Sequence, residues 1–242
     1  MRLTVLGSSG AFPTSSNPCS GYLVELDGFR ILLDLGYATV PELLKHTTAE
    51  AVDAVIVTHG HPDHCADLNP LLRARALGGD TPAPLPLYSP PGALDAVLAL
   101  DRPGMLDPYF DLREFSPGSS LAIGPFNVDT RLLPHWRPNA GVRLSGGGTT
   151  IAYTGDTGPS PLIVELAQDA DILIAEASYP EQVPPDAAEF LSSAVQAGQN
   201  AAAARVSQLV LTHLMPGQPQ DGALAAARRS YDGPVAVAAS EV

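Results

Sequence analysis

The sequence is poor in basic residues and in cysteine. Its 242 residues include 13 lysines and arginines against 26 aspartates and glutamates, which gives a formal net charge of −13 at pH 7. Nucleic-acid polymers and anionic membranes are both bound through clustered basic residues, so this balance disfavours both kinds of partner. Two cysteines, Cys19 and Cys65, are too few for a disulfide framework, and we expect both to be reduced thiols.

Long hydrophobic runs are also missing. No stretch approaches the roughly 18 apolar residues of a membrane span, and segment 1–7 has the pattern of a strand rather than of a signal peptide. Charged residues make up 16% of the chain and hydrophobic residues 45%, a composition that argues against an intrinsically disordered protein. We therefore expect a globular protein in the cytoplasm.

Strand-like and helix-like segments alternate along the chain, and no low-complexity linker divides them. The pattern predicts one α/β domain over residues 1–242. Asp27-Gly28 and the run Gly146–Gly148 each separate two strand-like segments, which indicates two β-hairpins. Alanine-rich segment 189–205 is predicted to form one helix.

Polar side chains follow several of the predicted strands. The apolar segment 55–57 ends in Thr58-His59, and the apolar segment 209–211 ends in the same way in Thr212-His213. Asp34, Asp156 and Glu176 also stand where an apolar strand ends. Because ligands in layered α/β folds gather where strands end and loops begin, we expect two similar halves that share one site.

The strongest local signal is the run His59-Gly60-His61-Pro62-Asp63-His64. Neutral imidazoles and a carboxylate are ligands of borderline divalent metals, and a tight loop with Gly60 and Pro62 directs alternate side chains to a common point. Four ligands within six residues are too crowded for one ion but suit two adjacent ions. The sequence therefore predicts a site for two metal ions.

The histidines outside this motif are His46, His135 and His213. His135 and His213 each follow a strand, which makes them candidate ligands together with Asp156, whereas His46 is predicted to lie on the surface of a short helix. Cys65 is predicted to be a small buried residue, because the nitrogen and oxygen ligands suffice without sulfur.

These motifs, in this order, resemble the metallo-β-lactamase superfamily. The resemblance covers most of the chain, including Leu32–Gly36, the His59–His64 motif, Gly155–Thr157 and Leu211–His213. It implies a four-layer αββα sandwich of two mixed β-sheets flanked by helices, with a two-metal cleft at the sheet edges. The residues that the resemblance assigns are His59, His61 and His135 to the first metal; Asp63, His64 and His213 to the second; Asp156 as the bridging ligand; and Asp34 and Glu176 as supports of the ligating histidines.

Within the superfamily, the chain is most similar to the branch of tRNA 3′-processing endonucleases and small cyclic phosphodiesterases. Segments 3–10, 17–22 and 135–143 carry this similarity. There are two departures from the branch. Phe190 stands where the branch usually has a histidine thought to help the leaving group, and a long basic insertion of the kind that grips tRNA is missing.

The resemblance implies a dinuclear metal-dependent hydrolase that cleaves a small phosphodiester, such as a cyclic nucleotide, through a metal-bridging hydroxide. Asp63 is the candidate catalytic residue, since it could accept the proton of the attacking water. Zn²⁺ is the first choice of metal, with Mn²⁺ or Fe²⁺ as alternatives because the ligand types suit all three. A small-molecule substrate and a homodimer are expected.

Three other functions stay open at this point. One is hydrolysis of a lactone, thioester or other ester on the same metals. Another is tRNA 3′-processing, which the net charge and the departures disfavour. The last is a non-catalytic metal-bound binding module, against which the complete set of seven ligands argues.

Overall fold

The computed structural model describes residues 1–79 and 82–239. Its thirteen strands, in chain order, are β1 Arg2–Gly7, β2 Gly21–Leu26, β3 Phe29–Leu35, β4 Ala54–Ile56, β5 Leu85–Ser89, β6 Phe110–Glu114, β7 Ser120–Ile123, β8 Phe126–Leu133, β9 Asn139–Gly146, β10 Thr149–Tyr153, β11 Ile172–Glu176, β12 Gln208–Thr212 and β13 Val235–Val237. The helices are α1 Thr39–Leu43, α2 Pro62–Cys65, α3 Leu68–Leu77, α4 Asp95–Leu98, α5 Pro161–Ala167, α6 Ala194–Ala204 and α7 Gln220–Ala227, and short 3₁₀ turns span Ala49–Ala51 and Asp107–Tyr109.

The strands form two mixed sheets with the same plan. Strands β1 to β6 make the first sheet in sequence order, and β7 to β13 make the second, also in sequence order. Each sheet begins with antiparallel neighbours and ends with parallel ones: the change comes at β3 in the first sheet and at β10 in the second. The expected α/β fold of two mixed sheets is confirmed.

Three hydrophobic clusters hold the layers together. Within β3, Ile31 and Leu33 belong to the cluster between the two sheets, whereas Leu32 belongs to the cluster under α1 to α4. In β12, Val210 faces the same inner cluster, and its neighbours face the cluster under α5 to α7. These strands are apolar on both faces because each sheet is covered on both sides, which gives the predicted four layers.

Both predicted hairpins are present. Asp27 and Gly28 have φ values of 51° and 85°, and Gly147 and Gly148 have φ values of 57° and 79°. Two consecutive positive φ values are typical of a type I′ turn, whose twist matches that of the flanking strands. The second hairpin joins β9 to β10, with Gly146 paired with Thr149.

The structure departs from the sequence pattern in two kinds of place. Strands β6 and β7 lack a clear apolar signal because each lies at one edge of its sheet and is largely exposed. The alanine-rich helix predicted from residue 189 begins instead at Ala194, since Ser193 and Gln196 form a capping box at that point. Among residues 1–79 and 82–239, the longest apolar helices fall short of the length needed to cross a bilayer.

Candidate metal centre

The His59–His64 segment lies just beyond the C-terminal end of β4, a central strand of the first sheet. His61 precedes α2, and Pro62 occupies the first position of that helix, where its fixed φ is favourable. The segment lies close against the loop after β3, because any side chain at Gly36 would collide with the backbone carbonyl of Asp63. This packing fixes the direction in which the motif projects its side chains.

Three imidazoles from two strand ends meet in a first group. His59 Nε2 lies 3.1 Å from His61 Nδ1, and His135 Nε2 lies 3.0 Å from the same atom. Asp156 completes the group, with one carboxylate oxygen 3.9 Å from His59 Nε2 and 3.8 Å from His135 Nε2. His61 and His135 are half-buried, so this group faces the solvent side of the site.

A second group forms beside the first around Asp63, His64 and His213, and Asp156 belongs to both. His213 Nε2 lies 3.3 Å from Asp63 Oδ2 and 3.2 Å from Asp156 Oδ2. All four residues of this group are buried. The structure thus brings the seven sequence-predicted ligands into two adjoining groups with one shared carboxylate.

The donor atoms fit a divalent ion in both position and chemistry. Tetrahedral zinc ligands at about 2.0–2.1 Å from the ion lie roughly 3.3 Å from one another, close to the spacings in both groups. His64 Nε2 and Asp156 Oδ1 are buried and 3.1 Å apart, yet neither has a hydrogen-bond partner in the described part of the chain. Buried polar atoms rarely stay unpaired, so their convergence favours a cation between them.

Asp34 orients ligands of both groups. Its carboxylate accepts hydrogen bonds from His64 Nδ1 at 2.7 Å, Tyr153 Oη at 2.8 Å, and Thr58 Oγ1 at 2.9 Å. Since a carboxylate only accepts, His64 is protonated at Nδ1 and its Nε2 is left to face the centre. Thr58 Oγ1 also lies 3.1 Å from His59 Nδ1, which extends the effect to the first group.

Glu176 supports His213 through one intermediate residue. Ser178 Oγ donates to Glu176 Oε1 at 2.6 Å and lies 3.0 Å from His213 Nδ1, so His213 is protonated at Nδ1 and presents Nε2 to the centre. Glu176 also accepts the backbone N–H of Thr157, next to Asp156. Burial, reinforced by the charge of Asp156, raises the pKa of the Glu176 carboxyl to about 8.

The two groups differ in protonation. Burial lowers the pKa of His61 and His135 and takes that of His59 well below its ordinary value, so these imidazoles are neutral at pH 7. Burial acts the same way on His64 and His213, but nearby carboxylates together outweigh it and raise the pKa of both: Asp156 and Asp34 act on His64, and Asp156, Asp63 and Glu176 act on His213.

The two carboxylates of the second group are ionised at neutral pH. Burial raises their pKa, but the nearby imidazoles of His213 and His64 outweigh burial and hold the pKa of Asp63 below its usual range and that of Asp156 well below it. Asp63 Oδ2 also accepts the backbone N–H of Ala11 at 3.0 Å, which fixes its orientation.

Several residues that hold this site were missed from the sequence. Tyr153 and Ser178 carry hydrogen bonds to its supports, and the backbone carbonyl of Phe190 lies 2.9 Å from His135 Nδ1. Tyr153 and Ser178 lack a local pattern, although each stands near a predicted strand end. His46, which the sequence predicts to lie on the surface of a short helix, stands instead in the turn just after α1, where its Nε2 lies 3.8 Å from Glu42 Oε1.

The two groups form the floor of a cleft of about 560 Å³. Five residues of the groups line it: His61, Asp63, His135, Asp156 and His213. The rest of the lining is mainly apolar, with Pro62, Trp136, Tyr179, Pro184, Leu191 and Met215, and it also includes Asp186.

Comparison with known proteins decides the family. A model described as "Beta-lactamase superfamily domain" matches residues 10–214, a range that contains all seven clustered residues. The chain belongs to the metallo-β-lactamase superfamily. It is 33% identical to an uncharacterised protein of Mycobacterium leprae over 97% of this chain and 85% of that protein, and 29% identical to the probable metallo-hydrolase YhfI of Bacillus subtilis over 99% and 98%.

Solved structures of the superfamily agree with this assignment. The crystal structure of YhfI from Bacillus subtilis superposes with a TM-score of 0.89 at 28% identity, covering 98% of this chain and 96% of that one. The short form of human tRNase Z superposes with a TM-score of 0.77 at 24% identity, covering 98% and 96%, and shares the fold. With this membership and a His/Asp cluster suited to divalent cations, the chain is a metal-dependent hydrolase.

Proposed function

We propose that the chain is a dinuclear hydrolase that cleaves a small phosphodiester, such as a cyclic nucleotide. The observation that carries the proposal is the pair of ligand groups that share Asp156 on the floor of one cleft. His59, His61, His135 and Asp156 would hold one divalent ion, and Asp63, His64, His213 and Asp156 the other. Zn²⁺ is proposed first because nitrogen and carboxylate ligands in tetrahedral spacing suit it, with Mn²⁺ or Fe²⁺ as alternatives.

The residues around the floor define the chemistry that the site supports. Divalent ions, when bound, would act as Lewis acids that lower the pKa of water at the site to near neutral and neutralise charge on phosphate oxygens. Asp63 is ionised, lines the cleft and is held in place by the Ala11 amide, and these observations support its proposed role as acceptor of the proton of the attacking water. Asp34 and Glu176 keep His64 and His213 in the tautomers that leave Nε2 free.

The size and charge of the molecule favour a small phosphodiester over a polymer. A cleft of about 560 Å³ lies in the range that holds small molecules. The net charge of −13 opposes a long polyanion. A relative in Haloferax volcanii, 29% identical over 98% of this chain and 92% of its own length, is named ribonuclease Z, which supports phosphodiester chemistry.

The side chain at position 190 bears on whether the site can protonate the leaving group. Phe190 offers only a ring and a backbone carbonyl, and that carbonyl already accepts from His135. No proton donor is therefore supplied from this position. A strained cyclic phosphodiester, or one with an acidic leaving group, depends least on such a donor.

Metal content and turnover, measured together, test the proposal. Purified protein reconstituted with Zn²⁺, Mn²⁺ or Fe²⁺ should bind close to two ions per chain and should hydrolyse bis-p-nitrophenyl phosphate and a cyclic nucleotide. Chelation should abolish both rates, and precursor tRNA should be cleaved negligibly. Rapid turnover of a lactone or thioester beside no phosphodiester cleavage would overturn the substrate class. Gel filtration with light scattering checks the proposed homodimer, and cell fractionation the proposed cytoplasmic location.

A further inference from the structure

The single tryptophan of the chain stands at the wall of the cleft. Trp136 follows the proposed ligand His135 directly, and its side chain is 51% exposed while it lines the cleft with His61, Asp156 and His213. Leu132 is exposed to the same degree, at 52%, but it lines a neighbouring groove that His135 and Trp136 also border, and it is not among the residues that line the cleft. Exposure alone therefore does not distinguish Trp136; its position beside the ligands does.

Two neighbouring rings hold the indole of Trp136 in place. The ring of Phe190 lies 5.0 Å from it, centre to centre, at an interplanar angle of 35°, and the His135 ring lies 5.1 Å away edge to face. The backbone carbonyl of Phe190 also contacts His135 Nδ1 at 2.9 Å. The aromatic pair is thus connected to the first ligand group by packing and by a hydrogen bond.

A supported, half-exposed indole at a catalytic cleft favours a flat ligand. A planar heteroaromatic ring gains dispersion and electrostatic contact over a whole face of tryptophan, whereas an alkyl chain covers only part of it. We propose that Trp136, backed by Phe190, is a stacking platform for the nucleobase of a free mononucleotide substrate whose phosphodiester lies over the ligand groups. This inference rests on the proposed function and names the part of the substrate that the site recognises.

Binding is tested directly by the fluorescence of Trp136, because no other tryptophan contributes. The metal-loaded protein is titrated with adenosine 5′-monophosphate, which is not a phosphodiester, and with ribose 5-phosphate, which lacks the base. We expect saturable quenching by the nucleotide and little change with the sugar phosphate. Equal responses to the two compounds, or none to either, would overturn the platform.

Variants separate stacking from other roles of the residue. Trp136→Leu should raise KM for a cyclic adenine nucleotide about tenfold or more, with a smaller change in kcat, because a base–aromatic stack is lost. The KM for the matching base-free cyclic ribose phosphate should stay within about twofold, and Trp136→Phe should restore most of the preference for the base. Leu132→Ala is the matched control and should leave both KM values unchanged. Equal loss on both substrates would overturn the proposal.

Competition with a single-stranded oligonucleotide tests whether the platform binds a free nucleotide or the terminal nucleotide of a strand. If the platform serves mononucleotides, a short oligonucleotide should compete no better than its terminal nucleotide; competition more than tenfold tighter would overturn the proposed source. Failure of the proposed function gives a different pattern. In that case the nucleotide still quenches Trp136, and Trp136→Leu still weakens its binding when binding is measured by calorimetry, although no phosphodiester is hydrolysed.

Discussion

The two ligand groups are built differently although they share Asp156. The first group offers three neutral imidazoles, two of them half-buried at the open side of the cleft. The second is buried throughout, includes the Asp63 carboxylate, and contains two histidines whose pKa is raised. An ion in the first group therefore meets little competition from protons, whereas one in the second must displace them.

The hydrogen-bond partners that hold the histidines also differ between the two groups. His135 contacts a backbone carbonyl, whereas His64 contacts the Asp34 carboxylate and His213 is linked to Glu176 through Ser178. Asp34 and His213 both have a φ of 59°, which a residue other than glycine adopts at a cost of about 1–3 kcal/mol. Such strain is kept where geometry serves a site, and here both residues belong to the second group or its support.

The largest expected effect is the loss of a direct ligand. His61→Ala removes the imidazole whose Nδ1 lies near Nε2 of both His59 and His135, so we expect loss of one ion per chain and a fall in activity of more than a hundredfold. Elemental analysis and turnover of bis-p-nitrophenyl phosphate measure this. His46→Gln, in the turn after α1, should change neither; equal damage at both positions would mean that the ligands are assigned wrongly.

Acidification should separate the two groups. Metal binding needs unprotonated imidazoles, and affinity falls as the pH drops through the pKa of the metal-free ligand. The pKa is raised for His64 and His213 and lowered for His59, His61 and His135. As the pH falls, the ion of the second group should leave first and the ion of the first group at a lower pH, because protons compete for His64 and His213 at a higher pH. Stepwise dialysis followed by metal analysis should find one ion per chain at pH values between the two losses. Simultaneous loss of both ions would contradict the difference in protonation between the two groups.

The sequence predicts which residues cluster in the two groups better than it predicts the residues that hold them. The His59–His64 motif is local, and the strand ends that carry His135, Asp156 and His213 are visible as apolar runs that stop at a polar residue. The supports act across the two sheets: Tyr153 in β10 contacts Asp34 in β3, 119 residues away along the chain. A single sequence holds no pattern for such a pair, because it depends on how the two sheets pack.

The same distinction holds for the fold. The central strands were predictable because they are apolar on both faces, and the hairpins because their turns need positive φ. The edge strands β6 and β7 and the late start of α6 were not, since exposed strands carry charged residues and the Ser193 cap overrides the helical propensity of the preceding segment. Trp136 also looked ordinary in the sequence; its contact with Phe190 brings together residues 54 positions apart.

Neutralising Asp34 should weaken the second group more than the first. Asp34→Asn removes the charge that His64 contacts directly and that His59 meets only through Thr58. We expect a loss of affinity of about 10- to 100-fold for the ion of the second group and a smaller loss for the other. Competition with a chelator measures both. Asp53→Asn, an exposed carboxylate that accepts the Arg30 amide at 2.7 Å, is the control and should alter neither affinity. Equal losses in the two groups would remove the distinction between them.

The smallest effect is expected from deleting one hydroxyl group, that of Tyr153, which donates to Asp34. Tyr153→Phe keeps the ring, which packs edge to face on Tyr22 at 5.0 Å, and deletes only the donor to Asp34. Asp34 keeps its bonds from His64 and Thr58, so we expect the free energy of unfolding to fall by about 1–2 kcal/mol and the affinity of the second ion to fall only several-fold.

The matched control for this change is Tyr231→Phe. Tyr231 is also buried, and its hydroxyl donates to the backbone carbonyl of Val206 at 2.9 Å, a residue that belongs to neither ligand group. It should lose comparable stability in chemical denaturation while both metal affinities stay the same. If the two variants weaken the second ion alike, Tyr153 acts only through general stability, and the hydrogen bond to Asp34 does not tune the metal centre.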